Sequence, residues 1–190
     1  MAAEATERYW RRLAAVLNND KRTAQTDDEN CLKQPAGDRA LIEDLDERFA
    51  RLHRNACDLL MSVSAAALEE QPREPDSSPP LDSLRESILR GAAIVEQTFG
   101  GITANLWDDP FEWTLPETLD TRQRIVEYLE EVEATRQRAF EGFSSDTELL
   151  KKVAVPSGEL QTLLSLLLET LVRAVDYQGR AITTLEILPK

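Results

Sequence analysis

The chain has 190 residues, enough for one domain with a substantial core, and 42% of its residues are hydrophobic. Its 35 acidic and 22 basic side chains give a formal net charge of −13. This charge repels phosphate backbones and anionic lipid headgroups, and no basic cluster offsets it, so the sequence argues against nucleic-acid binding and membrane binding.

Residues 1–38 are predicted to form a short amphipathic helix and a polar linker. Tyr9, Trp10 and Leu13 share one side of the helix, which covers about residues 2–17. The first residues carry no apolar segment of the kind found in secretory signals. The spacing of Cys31 and Cys57 fits neither a zinc-ligand pair nor a redox pair, so we expect reduced thiols in a cytoplasmic protein.

Residues 39–190 contain four long segments with helical spacing of apolar residues, which predicts an all-α four-helix bundle. The first segment covers about residues 39–70, carries His53 at the edge of its apolar stripe, and ends in a proline-rich stretch. The second segment begins near residue 81, with Asp82 or Ser83 as its N-cap.

An aromatic, proline-containing connection around Trp107 separates the second and third helices, and such connections often border a functional pocket. The third helix is predicted to start with Asp120 or Thr121 as its N-cap. Its apolar side chains indicate one buried face. A charged set is predicted to form the solvated face of this helix: Glu130, Glu131, Glu133, Arg136 and Arg138.

The fourth helix is predicted to begin after Gly158, with Ser157 as its N-cap. Leucines and valines between Leu160 and Val172 cover nearly every direction around its axis, which predicts a helix buried on all sides at the centre of the bundle. Gly179 within this helix predicts either the close approach of another backbone or a position that requires a small residue, since glycine otherwise weakens a helix.

Three stretches resemble the DinB/YfiT-like family. Residues 83–96 (SLRESILRGAAIVE) resemble the second helix of that family, and residues 106–116 (LWDDPFEWTLP) resemble the following loop. Residues 171–185 (LVRAVDYQGRAITTL) resemble the final-helix motif, in which family members usually carry H-x-x-x-H. The resemblance covers about residues 40–190 and implies an up-down-down-up four-helix bundle that is often dimeric. In the enzymes of the family, three histidines hold a divalent metal that activates a thiol or water.

The resemblance assigns the three metal-ligand positions to residues other than histidine. The second-helix position falls on Gly91, or on Arg90 with a shift of one residue, and the final-helix positions fall on Arg173 and Tyr177. Glycine has no ligand atom, and arginine is a permanent cation. Tyrosine binds a metal only after its hydroxyl loses a proton, and its free pKa is about 10. The resemblance therefore implies the fold of the family without its metal, and we predict no cofactor.

Several polar residues are candidates for a pocket. Glu169, Arg173 and Tyr177 follow one another at steps of four on one face of the last helix. In one interpretation, Arg173 and Tyr177 bind a small anionic ligand. In the other, Glu169 pairs with Arg173 and closes the space between the helices.

Three functional hypotheses follow, and the sequence leaves open whether the protein is an enzyme. The first is a binding or non-catalytic member of the DinB-like class that forms a homodimer. The second is a metal-independent thiol-type transferase or isomerase that uses Arg173 and Tyr177 on a small anionic substrate. The third is a metalloenzyme with a rearranged site built from His53, Glu96 and Asp176, where His53 is also a candidate general base.

Overall fold

The structure is a computed structural model that describes residues 38–71, 82–108 and 118–188. Four long helices form an all-α bundle: α1 (Ala40–Ser62), α3 (Leu84–Ala104), α4 (Arg122–Gly142) and α5 (Leu163–Ile187). The shorter elements are α2 (Ala65–Glu69), a 3₁₀ helix (Asp146–Leu150) and a hairpin of β1 (Lys152–Ala154) and β2 (Leu160–Thr162). The predicted fold class is confirmed, while the predicted N-terminal helix and linker lie outside the described residues.

The N-termini of the long helices are fixed by polar side chains. Ser83 caps α3 and Thr121 caps α4, each accepting a hydrogen bond from the backbone N–H three residues later, as the sequence predicts. α1 has no cap of its own. Instead, the Asp146 carboxylate of the 3₁₀ helix accepts hydrogen bonds from the backbone N–H groups of Leu41 and Ile42, both at 3.0 Å. A distant acid therefore fixes the start of the first helix.

The predicted start of the last helix is wrong. α5 begins at Leu163 with Thr162 as its N-cap, and Ser157 does not cap it. The preceding residues form the antiparallel hairpin, in which Val153 pairs with Gln161. Gly158 closes its turn with φ +83°, a conformation that favours glycine. The predicted first helix is likewise interrupted, since α1 ends before the separate α2 begins.

α3 is the central helix of the bundle, whereas the sequence predicts α5. Its buried residues lie on nearly every side of the axis: Leu84, Ser87, Ile88, Leu89, Gly91, Ala92, Ala93, Ile94, Val95, Thr98, Phe99 and Gly101. α5 is open on one side, where Leu168, Val172 and Val175 are 45%, 69% and 51% exposed. The prediction for α5 is wrong because an apolar residue does not by itself guarantee a neighbouring helix to cover it.

Three phenylalanines and a hydroxyl pair join the helices in the core. Phe49 of α1 meets Phe99 of α3 edge to face, with ring centroids 5.2 Å apart. Phe140 lies 5.5 Å from Phe99 and continues the cluster into α4. The buried hydroxyls of Thr98 and Thr170 lie 2.7 Å apart and connect α3 with α5.

Within the described ranges, no helix is both long and apolar enough to cross a bilayer.

The predicted solvated face of α4 is wrong at Glu133 and Arg136. Both side chains are buried, and Arg136 is 2% exposed. Arg136 donates hydrogen bonds to both Glu133 oxygens at 2.7 and 2.8 Å and also bonds Asp46 of α1. Burial alone would raise the pKa of Glu133, but the hydrogen bonds and charge of Arg136, together with smaller contributions from His53 and Gln137, outweigh it and lower this pKa. The sequence does not distinguish this pair from a surface pair, because charges three residues apart are common on exposed helices.

Two helical glycines should respond in opposite ways to alanine. A Cβ at Gly101 would overlap the ring of Trp107, whereas a Cβ at Gly179 would meet nothing within 4 Å, so the predicted close approach at Gly179 is wrong. We expect Gly101→Ala to lower the free energy of unfolding by about 1–3 kcal/mol. Gly179→Ala should raise it by about 0.5–1 kcal/mol. Urea denaturation followed by circular dichroism measures both, and a stabilising Gly101→Ala would contradict the packing of Trp107.

Candidate functional site

Arg173 borders a polar hollow of about 210 Å³ on one side of the bundle. The walls come from α3, α5, the segment after α3 and the turn of the hairpin. Gln97, Ser157 and Gln161 contribute polar side chains to it, and Trp107 forms part of the wall. Gln97 donates a 2.8 Å hydrogen bond to the Trp107 carbonyl, which fixes the segment after α3 against the helix.

Among the described residues, Arg173 forms no ion pair in this hollow. Glu169 lies one turn earlier on α5 and borders the same hollow, yet the two exposed side chains form no ion pair in the described part of the chain. The interpretation in which Glu169 neutralises Arg173 is therefore wrong for this structure. The guanidinium keeps its N–H donors for a ligand.

Tyr177 lies in a different place, against α3. A Cβ built on Gly91 would be 3.5 Å from the Tyr177 Cβ, so these two predicted site residues are brought together. The Arg180 guanidinium lies 4.9 Å from the centre of the Tyr177 ring and also pairs with Asp176 at 2.8 Å. Asp176 and Tyr177 are thus both engaged with Arg180, and neither borders the hollow beside Arg173.

Glu96 faces α4 rather than the last helix. Its carboxylate accepts a 2.6 Å hydrogen bond from the Tyr128 hydroxyl. Burial raises the pKa of Glu96, and the bond from Tyr128 opposes this change without cancelling it. His53, Glu96 and Asp176 each contact different partners, so the structure does not bring this predicted set together at metal-binding distance.

A second cavity, of about 40 Å³, lies between the four long helices next to Gly91. Its lining is mostly apolar but includes His53, Gln178 and the Glu133–Arg136 pair. Ser87 also lines it, and the buried Ser87 hydroxyl has no hydrogen-bond partner. A buried hydroxyl without a partner costs about 1–3 kcal/mol, so this cavity is suited to one small polar group.

His53 lies in a cluster that the sequence analysis missed. His53 and Cys57 are one turn apart on α1, with Nε2 and Sγ 3.6 Å apart, and Glu130 of α4 places Oε1 3.8 Å from the same Nε2. Burial raises the pKa of the Cys57 thiol, and the charges of Glu130 and Asp58 raise it further. The spacing of His53 and Cys57 is visible in the sequence. The contribution of Glu130 depends on how α1 packs on α4, which no local pattern reveals.

The residues at the family's metal positions do not make a ligand set for a divalent cation. Gly91 offers no donor atom, and the nitrogens of Arg173 are all hydrogen-bond donors on a cation. Tyr177 has the Arg180 cation over its ring. The alternative position, Arg90, is also a cation and bonds Glu86 at 2.7 Å. A metal held by these side chains does not fit their chemistry.

Comparison with known proteins supports the fold but no specific activity, ligand or metal site. No family model and no curated protein matches the sequence. Among solved structures, the chain is similar to a protein from Exiguobacterium sibiricum provisionally assigned to the DinB family, with a TM-score of 0.54 and 17% sequence identity. The similarity covers 77% of this chain and 90% of that one. The chain therefore has a DinB-like fold, as the sequence predicts, and its activity has to be argued from its own residues.

Replacing Glu96 with glutamine should stabilise the protein at neutral pH. Because the pKa of Glu96 is raised in the folded state, its carboxyl favours folding below the unfolded pKa and loses this contribution as the pH rises through the folded pKa. Glutamine is uncharged and still accepts the bond from Tyr128. We expect a gain on the order of 0.5–1 kcal/mol near pH 7 and little change near pH 3.

Thermal denaturation at both pH values measures this effect. Glu127→Gln is the matched control, because Glu127 is exposed on α4 and bonds Gln123 at 2.9 Å. The control should show no comparable gain. A Glu96→Gln variant that loses stability near pH 7 would contradict the interpretation.

Proposed function

We propose that this protein binds a small anionic molecule in the hollow beside Arg173 and carries no metal at the family's ligand positions. The observation that supports this most is the guanidinium of Arg173, which borders a polar hollow of about 210 Å³ and forms no ion pair with any residue that the structure describes. A planar guanidinium is suited to bidentate hydrogen bonding with a carboxylate or a phosphate.

The other side chains of the hollow narrow the class of ligand. Gln97, Ser157 and Gln161 are neutral hydrogen-bonding groups, and Trp107 offers an apolar surface. Glu169 accepts hydrogen bonds but repels a second anionic group. These features favour a singly charged acid that also carries a hydroxyl or amino group. The net charge of −13 disfavours polyanions such as nucleic acids.

Binding is favoured over catalysis by the position of Tyr177. The alternative function, a metal-independent transferase or isomerase, needs Arg173 and Tyr177 to act on one substrate. Tyr177 instead lies against Gly91 and beneath Arg180, outside the hollow that Arg173 borders. We therefore propose a non-catalytic, cytoplasmic binding protein.

Arg173→Ala should remove ligand binding while leaving the protein folded. A thermal-shift screen of the full chain against small hydroxy acids, amino acids and phosphate identifies ligands that raise the melting temperature. For each ligand found, the Arg173→Ala variant should bind at least about tenfold more weakly by calorimetry, since a charge-assisted bond contributes roughly 1.5–3 kcal/mol. Its melting temperature without ligand should change little, because Arg173 is exposed and forms no ion pair.

Arg180→Ala is the matched control for this experiment. Arg180 is also an exposed arginine of α5, but it pairs with Asp176 and lies outside the hollow. This variant should bind the same ligands with unchanged affinity. Equal loss of binding in both variants, or full binding by Arg173→Ala, would contradict the proposed site.

We also infer that the protein forms a homodimer through the open side of α5. Leu168, Val172 and Val175 form an exposed apolar stripe there, and an exposed stripe of this kind is typical of an interaction surface. The charges beside the stripe are balanced, since Glu169 and Asp176 alternate with Arg173 and Arg180. A second copy related by a two-fold axis would meet a self-complementary surface, in spite of the acidic charge of the whole chain.

Val172→Asp should shift the protein from dimer to monomer. A charge placed in the centre of the stripe would be buried in the dimer without a partner, which should weaken association by at least about tenfold. Sedimentation velocity over a range of protein concentrations measures the change. Leu150→Asp is the control, because Leu150 is 67% exposed on the 3₁₀ helix and does not belong to the stripe of Leu168, Val172 and Val175. A monomeric wild-type protein would contradict the inference.

A further inference from the structure

A cluster of three metal-ligating side chains lies in the groove between α1 and α4. The ligand atoms of His53, Cys57 and Glu130 all lie within 4.8 Å of one another. The His53 Nε2 is 3.6 Å from the Cys57 Sγ and 3.8 Å from the Glu130 Oε1. A tetrahedral zinc ion with bonds of about 2.3 Å to sulfur and about 2.0–2.1 Å to nitrogen would place the nitrogen and the sulfur about 3.6 Å apart.

The bundle holds the two sides of this cluster in place. His53 and Cys57 lie at i and i+4 on α1, so they project from the same face of one helix. Glu130 lies one turn before Glu133 on α4, and Arg136 connects Glu133 with Asp46 of α1 through buried hydrogen bonds. The spacing between the two helices is therefore fixed close to the cluster by an independent ion pair.

The charges around the cluster favour a cation. Cys57 is subject to the negative potential of Glu130, Asp58 and Glu133. The nearby cation of Arg136 is already bonded to Glu133 and Asp46. A divalent ion placed among the three ligands would be attracted by the acids.

The ligand types point to a particular class of ion. Imidazole, thiolate and carboxylate together suit zinc and similar transition metals. Magnesium and calcium prefer six or more oxygen ligands, which this cluster does not supply. Because Glu130 is 64% exposed, a tetrahedral ion would keep one position open to solvent. Three protein ligands and one open position are typical of zinc sites that bind a water or a small molecule.

We propose that His53, Cys57 and Glu130 form a zinc-type transition-metal site between α1 and α4. This site is separate from the metal positions of the DinB-like family, which fall on α3 and α5. It is also separate from the hollow beside Arg173, which none of the three residues borders. His53 additionally lines the small cavity that contains Ser87, so an ion here would lie at the edge of the bundle interior.

Titration of the purified full-length protein with Co²⁺ tests the site directly. We expect one Co²⁺ per chain, with the intense near-ultraviolet absorption of a thiolate–cobalt bond, and displacement by one equivalent of Zn²⁺. The chain contains two cysteines, so Cys31→Ala is the matched control for Cys57→Ala. The absorption should disappear in Cys57→Ala and persist in Cys31→Ala. Loss of the band in Cys31→Ala, or no bound Co²⁺ in the wild-type protein, would overturn the proposal.

The other two ligands are tested by zinc affinity, measured by competition with a chelating dye. His53→Gln and Glu130→Gln should each weaken zinc binding by at least about tenfold, as expected for altered metal ligands. Glu127→Gln, one turn earlier on α4, should bind zinc like the wild type. His53 is the single histidine of the chain, so zinc-dependent shifts of imidazole resonances report on it alone.

Circular dichroism confirms that each variant is folded before its affinity is compared. A His53→Gln variant that keeps the wild-type affinity would overturn the proposal, and so would unshifted imidazole resonances in the presence of zinc. Failure of the Arg173 ligand screen would leave these results unaffected, since the two sites share no residue.

Discussion

The close packing of α3 against α5 determines where polar side chains remain available to bind a ligand. A Cβ at Gly91 would be in van der Waals contact with the Tyr177 Cβ at 3.5 Å and with the Ala174 carbonyl oxygen at 3.6 Å, which shows how near the two helices lie. The hydroxyls of Thr98 and Thr170 connect the two helices further along, at 2.7 Å. Tyr177 packs against Gly91 where the two helices approach, so the polar groups available to ligands lie in the hollow beside Arg173 and in the small cavity next to Gly91.

The partners of the buried polar groups separate structural residues from functional candidates. Glu133 and Arg136 satisfy one another and hold α1 against α4 through Asp46, which is a sufficient structural explanation for both. Ser87 and Arg173 differ, since within the described residues the buried Ser87 hydroxyl has no hydrogen-bond partner and the exposed Arg173 forms no ion pair. Natural proteins seldom leave a buried polar group such as the Ser87 hydroxyl unpaired without a functional reason. The hollow and the inner cavity are therefore the better candidates for ligand binding.

The sequence predicted the fold class, the DinB-like fold and two of the helix caps, because these depend on local periodicity and on Ser83 and Thr121 themselves. It failed where the outcome depends on which helices become neighbours. The leucines and valines of α5 carry the same periodic signal whether or not another helix covers them, so the exposure of Val172 was not visible. The candidate site was likewise predicted only in part from the sequence. Gly91 and Tyr177 do meet, but Arg173 borders a hollow whose other walls come from Trp107 and the hairpin turn, which the spacing of residues on α5 does not reveal.

A four-helix bundle has several grooves between its helices, and side chains in one groove can change without disturbing the core. The groove between α3 and α5 carries arginine and tyrosine at the family positions. The groove between α1 and α4 carries His53, Cys57 and Glu130, with the exposed Glu130 carboxylate at its rim. The Glu130 carboxylate needs little desolvation to bind an ion, while His53 and Cys57 are partly buried beside it, so a metal site in this groove is compatible with a packed interior. A DinB-like fold therefore limits where sites can lie, while the side chains of each groove determine the chemistry found there.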